Sequence, residues 1–338
     1  MWYMNNGSEN DVVLSTRVRL ARNISGYPFP EKLGDEKANE LIGKIKAVFD
    51  GREGWTYTDM AGLSEAEKSA LAEKHVISRE FAEKKTPSAL ISNDERGVYI
   101  MVLEDDHLRI QSVVAGYDLA GASDAVYEAE GLIDEALEIA YSEKLGYITH
   151  SPANLGTGMR ASVMLHLPAY TDSGRMRSLA YQLTRMGFTV RGMGGEGSAA
   201  DAYIYQISNE VNLGMSEDDI IAKLDGVIKQ IIARERELRG TYSDEFKARL
   251  EERARRDVGV MMYAGRLSLG EGENMYSELR LASAMGLSPL SVRKADELLV
   301  SLMPGVIAAG DEEVKTQEDI DRKRAKIAAG ILSDVKFS

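Results

Sequence analysis

The sequence predicts an α+β domain followed by an all-helical domain. Over residues 11–208, short runs of β-branched and aromatic residues alternate with segments in which apolar residues recur at helical spacing. After Ser216 the pattern is almost wholly helical. The chain has 338 residues, which exceeds the roughly 100–200 of one domain. We place the border near Gly240 and predict domains at 11–238 and 241–338.

The individual elements follow from local periodicity and from turn residues. The predicted strands are 97–103, 108–114, 147–149, 160–167, 188–190 and 202–208. The predicted helices of the first domain are 122–145, ended by Gly146, and 172–186, capped by Asp172 and ended by Gly187. The predicted later helices are 216–239, 243–263, 273–285, one opened by Ser288-Pro289, and 317–329. Ser216 with Asp219 resembles a capping box, although Asp replaces the preferred Glu.

Composition excludes several functional classes. With 41 Lys+Arg against 54 Asp+Glu, the net charge of −13 argues against nonspecific binding to nucleic acid or to an anionic membrane. The absence of cysteine excludes disulfides, thiolate metal sites and a cysteine nucleophile. No apolar run approaches the roughly 18 residues of a membrane helix, and the first residues do not resemble a secretory signal. We therefore expect a cytoplasmic protein.

Arg17 and Arg19 stand two residues apart in the string LSTRVR at 14–19. In a strand they would share one face, where two guanidinium groups repel unless an anion lies between them. Phosphate or carboxylate recognition is therefore plausible. The alternative is an edge strand protected by charge, which the pair taken alone favours.

The acidic group Glu104, Asp105 and Asp106 precedes His107 and Arg109 at a strand junction. Crowded carboxylates raise one another's pKa unless cations offset them, so the group is a candidate site for Mg²⁺, an ammonium or a guanidinium. A solvated hairpin turn is the equal alternative. His107 is better interpreted as a structural hydrogen-bond donor than as a general base.

Two glycine-rich loops, 154–160 and 191–197, each contain an arginine, Arg160 and Arg191. Glycine lets a backbone approach an anion closely. Neither loop fits a P-loop or the Rossmann fingerprint. Together with Arg17, Arg19 and Arg109, the two arginines predict a site that holds a nucleoside triphosphate with guanidinium groups, while the acidic group handles Mg²⁺ or a cationic acceptor.

Two other features have ordinary structural interpretations. Residues 229–256 are dense in Arg and Glu, which at helical spacing is typical of a solvated face with i,i+4 ion pairs. Met261 and Met262 are expected to fill the core rather than to form a binding surface.

The same segments resemble the phosphagen (guanidino) kinases. The matching strings are LSTRVR at 14–19, EDDHLR at 104–109, SPANLGTGMR at 151–160 and RGMGGE at 191–196. The chain starts almost directly at the arginine strand, and the strings GEGS, YQISN, DVGV and RLASAMG resemble the branch of the family that acts on arginine in proteins. The resemblance implies a catalytic domain with an antiparallel sheet flanked by helices, followed by a C-terminal all-helical domain.

The resemblance also implies roles for individual residues. ATP binding falls to Ser15, Thr16, Arg17, Val18, Arg19, His75, Arg109, Arg160, Ala161, Ser162, Val163, Met164, Arg191, Gly192, Met193, Gly194 and Gly195. Asp105 and Glu196 would bind and orient the acceptor guanidinium, with Glu104 beside them. Mg²⁺ would be held through the ATP phosphates, with no protein ligand assigned.

Three positions depart from the family pattern. Asp105 stands where the family usually has Glu, and Ser151 where it frequently has Cys. Of a C-terminal phosphoarginine-sensing motif of the family, the sequence contains only EDIDR at 318–322, and the leading arginine of the motif is absent. A shift of about 1 Å at a catalytic group can cost about a hundredfold in rate, so Asp105 implies either a site that has closed in or a reduced activity.

The function that the resemblance implies is ATP-dependent phosphorylation of arginine side chains in proteins, in protein quality control and stress response. Protein substrates, an activator protein, a Clp-type ATP-dependent protease and a homodimer are the implied partners. Two alternatives stay open. One is a kinase for free arginine or another small guanidino compound, and the other is a weakly active phosphoarginine- or nucleotide-binding adaptor.

Overall fold

A large antiparallel sheet is built from most of the strands in the first two-thirds of the chain. The structure is a computed structural model that describes residues 1–192 and 201–337. The strands of the sheet are β1 (Val13–Arg22), β2 (Thr56–Asp59), β3 (Ala89–Asn93), β4 (Val98–Val102), β5 (Leu108–Ala115), β8 (Met159–His166), β9 (Phe188–Gly192) and β10 (Ile204–Asn209), and a separate hairpin pairs β6 (Tyr141–Ser142) with β7 (Gly146–Tyr147). Their spatial order in the sheet is β2-β3-β4-β5-β1-β8-β10-β9. The strand β1 therefore lies inside the sheet, between β5 and β8.

Helices cover the sheet and then form a C-terminal helical region. Those before residue 241 are α1 (Asp35–Phe49), α2 (Glu65–Glu73), α3 (Arg79–Glu83), α4 (Leu119–Asp134), α5 (Pro168–Asp172), α6 (Met176–Arg185) and α7 (Glu217–Gly240). The C-terminal helical region contains α8 (Asp244–Tyr263), α9 (Leu269–Ala284), α10 (Val292–Ser301), α11 (Pro304–Ala309) and α12 (Gln317–Leu332). Within the described ranges no helix is long and apolar enough to cross a membrane.

Helix starts follow the expected capping chemistry. The side chain of Ser216 accepts from the Asp219 N–H while Asp219 reaches back to the Ser216 N–H, so the predicted capping box is confirmed despite the shorter acid. The predicted solvated face is confirmed only in part: exposed i,i+4 pairs such as Arg249–Glu245 and Arg256–Glu252 lie along α8, whereas the i,i+4 pair Arg239–Glu235 on α7 is buried. Met261, in contrast, is fully buried in the core, as expected.

The two faces of the sheet differ in what they pack against. Alternate residues of a strand point to opposite faces. Val18 and Val163 point to the face that buries its apolar side chains against α1, α4 and α7. Val113, Met164 and Ile204 point to the other face, where they share a core with the C-terminal helical region. This second face also carries the arginines.

Buried arginines join α7 and the C-terminal helical region to the segment just before β1. Arg280 has a fully buried side chain, and it donates to the carbonyl oxygens of Asn10 (2.8 Å) and Asp11 (3.2 Å) while its Nε donates to Asp296 (2.8 Å). Arg239 donates to the carbonyls of Asp11 (2.9 Å) and His166 (3.0 Å). Charge-assisted hydrogen bonds to backbone carbonyls fix the helices against the start of β1.

The predicted bounds of four helices are wrong, and one of these helices, predicted at 273–285, begins at Leu269. The helix predicted at 122–145 begins at Leu119 and ends at Asp134. Residues 138–140 are instead extended, because the Ser25 N–H donates to Glu138 and the Ala140 N–H donates to Asn23.

Asp172 and Pro289 are not at helix starts either. Asp172 ends α5 and accepts a hydrogen bond from the Tyr242 hydroxyl (3.0 Å), and the following helix starts at Met176. The helix predicted at Pro289 begins at Val292, where Ser291 supplies the cap. In each case a tertiary contact or a better cap outweighs the local signal.

Candidate active site

The second face of the sheet collects all five of the predicted arginines around one cavity of about 630 Å³. Arg17 of β1 lies opposite Ser162 of β8, and Arg19 lies opposite Arg160. Arg109 comes from β5 and Arg191 from β9. Four strands thus contribute guanidinium groups to a single concave surface. The edge-strand interpretation of Arg17 and Arg19 is wrong, because β1 is an interior strand.

The guanidinium groups crowd one another in a partly buried setting. Burial, together with the charges of Arg109 and Arg160, lowers the pKa of Arg17 to about 9. Burial and the neighbouring Arg109, Arg17 and Arg160 lower the pKa of Arg19 well below its usual value. The Nε atoms of Arg17 and Arg109 are buried and find no hydrogen-bond acceptor among the described residues. An anion in the cavity would accept hydrogen bonds from these Nε atoms, and its negative charge would offset the positive charges of the guanidinium groups.

Two of the arginines are oriented by neighbours. Arg160 donates through Nε (3.2 Å) and Nη2 (2.9 Å) to the hydroxyl of Ser208 on β10. Arg109 forms an ion pair with the carboxylate of Glu104. Arg191 lies opposite Gln206 in the β9–β10 register. The strands and these partners position the cations before any ligand binds.

Glu104, at the start of the acidic turn between β4 and β5, is buried. Its carboxylate accepts from the Ser78 hydroxyl (2.6 Å) and pairs with Arg109. Burial would raise the pKa of Glu104, but the charge of Arg109 and the Ser78 hydrogen bond outweigh it and hold that pKa below its usual value. The cation that Glu104 binds is therefore a guanidinium of the same chain.

Asp106 and His107 are anchored inside the protein. Asp106 accepts from the Asn23 side-chain amide (2.6 Å) and from the His150 N–H (2.6 Å). His107 accepts through Nδ1 from the Ile24 N–H (3.0 Å), and its Nε2 lies 2.8 Å from the Pro28 carbonyl, so Nε2 carries the proton and donates. The structural interpretation of His107 is confirmed. The solvated-turn alternative is wrong for these residues, which are buried.

Asp105 stands between these two anchored carboxylates and is exposed. No hydrogen bond or ion pair joins its carboxylate to another residue in ranges 1–192 and 201–337. The turn begins at Leu103, whose φ of +62° lies in the left-handed region that non-glycine residues seldom adopt. A strained turn with two buried acids thus presents one exposed carboxylate at a fixed place.

His75 lines the cavity on the side that faces α2. Its ring stacks on the ring of Trp2, with centroids 5.8 Å apart, and its carbonyl accepts from the Gln111 side chain (3.0 Å). Burial, assisted by the charges of Arg17 and Arg79, lowers the pKa of His75 to about 4. At neutral pH the imidazole is uncharged, which suits contact with an uncharged ligand group rather than with phosphate.

The first glycine-rich loop does not behave as expected. A Cβ on Gly156 would lie 2.7 Å from the Asn212 carbonyl oxygen, and one on Gly158 would lie 2.7 Å from that of Ala21. Both glycines therefore allow close packing against protein backbone, and the loop reaches the cavity only through Arg160. In the second loop Met193, Gly194, Gly195 and Glu196 lie outside the described residues.

The predicted ATP-binding residues divide between the two faces. Those that line the cavity are Ser15, Arg17, Arg19, His75, Arg109, Arg160, Ser162, Met164, Arg191 and Gly192. Thr16, Val18, Ala161 and Val163 are buried and alternate with them along β1 and β8, so their side chains point to the opposite face. The Thr16 hydroxyl, for example, donates to the Gly116 carbonyl (2.7 Å).

Several lining residues were not predicted. Arg79 adds a sixth arginine, and Gln206 adds a polar group whose amide donates to Ser162 (3.0 Å). The C-terminal helical region contributes Leu269, Glu273, Met303 and Pro304 to the wall. Arg79 follows the helix-capping Ser78, a signal that could have been used. The C-terminal residues carry no local signal, because only the tertiary fold brings them to the cavity.

The described part of the chain contains no group of three or more His, Cys, Asp or Glu side chains that could hold a metal ion. The carboxylates that line the cavity are Glu73, Glu80 and Glu273.

An antiparallel sheet that presents clustered guanidinium groups, one of them paired with the acidic turn, is the arrangement expected of a phosphotransferase of the guanidino-kinase type. Comparison with protein families agrees, since residues 37–238 match the ATP:guanido phosphotransferase C-terminal catalytic domain. The chain belongs to the ATP:guanido phosphotransferase family. Residues 247–337 match a second model, the protein-arginine kinase McsB C-terminal domain.

Relatives match along nearly the whole chain. A protein-arginine kinase of Clostridium acetobutylicum is 38% identical over 328 residues, which cover 95% of this chain and 96% of the relative. One of Brevibacillus brevis is 36% identical over 332 residues, which cover 96% and 93% of the two chains. The expected family is confirmed.

Solved structures of small-molecule guanidino kinases share the fold. The structure of lombricine kinase superposes with a TM-score of 0.59 at 25% identity, covering 72% of this chain and 71% of that chain. The duplicated taurocyamine kinase from Schistosoma mansoni, with bound transition state analog components, gives a TM-score of 0.60 at 27% identity. That match covers 67% of this chain and about a third, 33%, of the duplicated protein.

Proposed function

We propose that the chain transfers the γ-phosphoryl group of ATP to arginine side chains of proteins. One observation carries the proposal: arginines from four strands line a single cavity, and one of them, Arg109, pairs with Glu104 in the turn that exposes Asp105, although Asp105 itself is not among the lining residues. The names of the full-length relatives support protein arginine as the acceptor. Phosphoryl transfer depends mainly on positioning and charge neutralisation, and this site is built to provide both.

In the proposed complex the triphosphate lies across Arg17, Arg19 and Arg160. The phosphates would accept from the buried guanidinium N–H groups, such as Arg17 Nε. Arg109, fixed by Glu104, would bind from the β5 side, and Arg191 from β9. Ser15, Ser162 and Gly192 line the same surface.

We infer that Mg²⁺ enters with the nucleotide. Mg²⁺ binds through one or two carboxylates together with substrate phosphates, and the carboxylate of Glu80 in the cavity wall is of the chemical kind that completes such a set. When bound, the ion would neutralise charge on the phosphates. The protein's own contribution is to hold the triphosphate with guanidinium groups.

The acceptor chemistry needs a carboxylate. A guanidinium has a pKa above about 12 and is a poor nucleophile. We propose that Asp105 aligns one acceptor nitrogen and takes its proton as that nitrogen forms a bond to the γ-phosphorus and the bond from phosphorus to the ADP oxygen breaks. Glu196, outside the described residues, is the second carboxylate on the strength of the family resemblance alone. Glu104 acts beside them by holding Arg109.

The test is incubation of the protein with Mg-ATP and an unfolded, arginine-rich polypeptide. The expected product is an acid-labile phosphoarginine, identified by mass spectrometry at neutral pH. The variants Arg17→Ala and Asp105→Asn should lose the product, whereas Arg249→Ala, which removes an exposed arginine on α8, should keep it. Absence of product from folded wild-type protein would remove the proposal.

A kinase for a small guanidino compound is the second candidate. The fold similarity to lombricine kinase and taurocyamine kinase favours it. The same assay decides between the two when free arginine, taurocyamine and lombricine replace the polypeptide. Faster ATP consumption with a small compound than with the polypeptide would reverse the order. No turnover with any acceptor, combined with measurable ATP binding, would point to an adaptor.

The cellular setting is a further part of the proposal. We infer a cytoplasmic enzyme of protein quality control that works as a homodimer, with an activator protein and a Clp-type protease downstream. The family resemblance of the sequence is the support. Sedimentation of the purified protein tests the dimer, and the phosphoarginine content of the proteome after heat stress, with and without the gene, tests the quality-control role.

A further inference from the structure

The lining of the cavity of about 630 Å³ is of two kinds. One part is the arginine cluster described above. The other part is mainly apolar, although it includes Glu273, and it is formed by two parts of the chain that are far apart in sequence. Strands of the sheet supply Val113, Met164 and Ile204, while the C-terminal helical region supplies Leu269, Met303 and Pro304.

The C-terminal part of this wall is fixed to the segment that carries His75. The carboxylate of Glu73 accepts from the backbone N–H groups of Gly305 (3.0 Å) and Val306 (2.8 Å). A Cβ on Gly305 would lie 2.4 Å from the Ser69 hydroxyl oxygen, so the two segments are in close contact. Residues 303–306 are thus held against the loop that presents the His75 ring.

Met303 is partly buried against the surrounding core and also faces the cavity. The thioether side chain of methionine makes favourable contacts with aromatic rings and adapts to their shape. The uncharged His75 imidazole stacks on Trp2 and lies on the same side of the cavity. An apolar and aromatic wall of this kind suits a flat heterocycle and not a phosphate.

We propose that Met303 contacts the base of the bound nucleotide, so that the C-terminal helical region completes the nucleotide site. The inference rests on the proposed function, since it takes the triphosphate to lie on the arginines. Given that placement, the base extends towards the mainly apolar part of the wall, where Met303, Pro304 and Leu269 line the cavity. Met303 then sets affinity for the nucleoside while leaving the phosphate site unchanged.

The test compares two ligands that share the phosphates but differ in the base. ATP and inorganic tripolyphosphate are titrated into the full-length wild type and the Met303→Ala variant by calorimetry. The expected result is an ATP affinity weaker by about three- to tenfold in the variant, as for the loss of one or two buried methylene equivalents. Tripolyphosphate affinity should stay within about twofold.

Met285→Ala is the matched control, because Met285 is partly buried against the same core but does not line the cavity. It should bind both ligands like wild type. Met303→Leu conserves volume and should restore most of the ATP affinity. Unfolding temperatures of all variants show whether the fold is kept.

Two results overturn the inference. One is an unchanged ATP affinity in Met303→Ala, and the other is an equal loss for ATP and tripolyphosphate, which a purely structural role would give. A wild type that binds neither ligand removes the proposed function itself, and the inference with it. These outcomes are distinguishable because the tripolyphosphate titration of wild type reports the arginine cluster alone.

Discussion

Arg19 on β1 and Arg160 on β8 lie directly opposite each other on neighbouring antiparallel strands. Like charges in this position destabilise a sheet. Burial, followed by the charges of Arg109, Arg17 and Arg160, lowers the pKa of Arg19, so these neighbouring cations add to the repulsion. The arrangement costs free energy in the unliganded protein, and a bound polyanion would recover it.

The first prediction follows from that repulsion. Arg19→Gln should raise the free energy of unfolding of the unliganded protein by about 1 kcal/mol, because it removes one of two facing cations. The same change should lower phosphorylation by about a hundredfold, because it removes a donor to the charge that develops in the transition state. Urea denaturation without nucleotide and the phosphoarginine assay measure the two effects.

Arg22→Gln is the control, since Arg22 lies on the same strand and its guanidinium group already binds protein carboxylates and a carbonyl. It pairs with Glu130 and Glu217 (2.8 Å) and donates to the Thr157 carbonyl (2.8 Å). Breaking a buried pair costs about 3–5 kcal/mol, so this variant should be strongly destabilised. Equal destabilisation by Arg19→Gln and Arg22→Gln would contradict the view that the cavity arginines are kept for binding.

A second prediction separates the neighbours Asp105 and Glu104. Asp105→Asn should lower the rate by about a hundredfold or more and leave the unfolding free energy within about 0.5 kcal/mol, because Asp105 is exposed and its carboxylate makes no hydrogen bond or ion pair among the described residues. Glu104→Gln should lower both rate and stability, because Arg109 would lose its buried counter-ion. Rates with saturating ATP and parallel urea denaturation test the contrast. Equal stability losses in the two variants would mean that Asp105 has a structural partner.

A third prediction concerns the length of the side chain at 105. Glu104 and Asp106 are both buried and hydrogen bonded, so the backbone between them cannot easily move. Asp105→Glu would advance the carboxylate by about one methylene and should reduce the rate by about ten- to a hundredfold. A rate gain would instead show that the native site is detuned, which would favour the adaptor alternative. Single-turnover rates with saturating ATP give the answer without interference from product release.

Much of the arginine site could be predicted because strand alternation is local. Arg17 and Arg19 share one face of β1 because side chains alternate along a strand, and for the same reason Thr16 and Val18 share the opposite face. The family resemblance gave Thr16 and Val18 the same role as Arg17, and the structure separates them by side-chain direction. Neighbouring residues in a motif need not face the same ligand.

The different surroundings of Glu104, Asp105 and Asp106 in the acidic turn could not be predicted, since they depend on contacts with residues distant in sequence. Glu104 is held by Ser78 and Asp106 by Asn23. The same limit explains the wrong helix end at Asp134, because the pairing of Ser25 with Glu138 joins segments more than a hundred residues apart. The apolar wall at Met303 is another such case.

The last prediction concerns pH and the buried His166. Its Nε2 lies 2.9 Å from the Ser277 hydroxyl, and its ring is fully buried. Arg239 and Arg280 are nearby, and Tyr276 packs against the ring with centroids 6.4 Å apart. Burial, and then the charges of Arg280 and Arg239, lower the pKa of His166 well below its usual value, so the folded protein keeps it neutral.

The unfolded chain binds a proton at His166 near pH 6.5, whereas the folded chain does not, so stability falls as pH drops below about 6.5. Relative to pH 7.5, wild type at pH 5.5 should lose about 1.4 kcal/mol more than His166→Gln, in which the amide can replace the hydrogen bond to Ser277. Comparing the two proteins by urea denaturation cancels the carboxylates that titrate in both. Parallel stability profiles for wild type and variant would show that His166 is protonated in the folded protein, and that the contact between β8 and α9 tolerates a third cation beside Arg239 and Arg280.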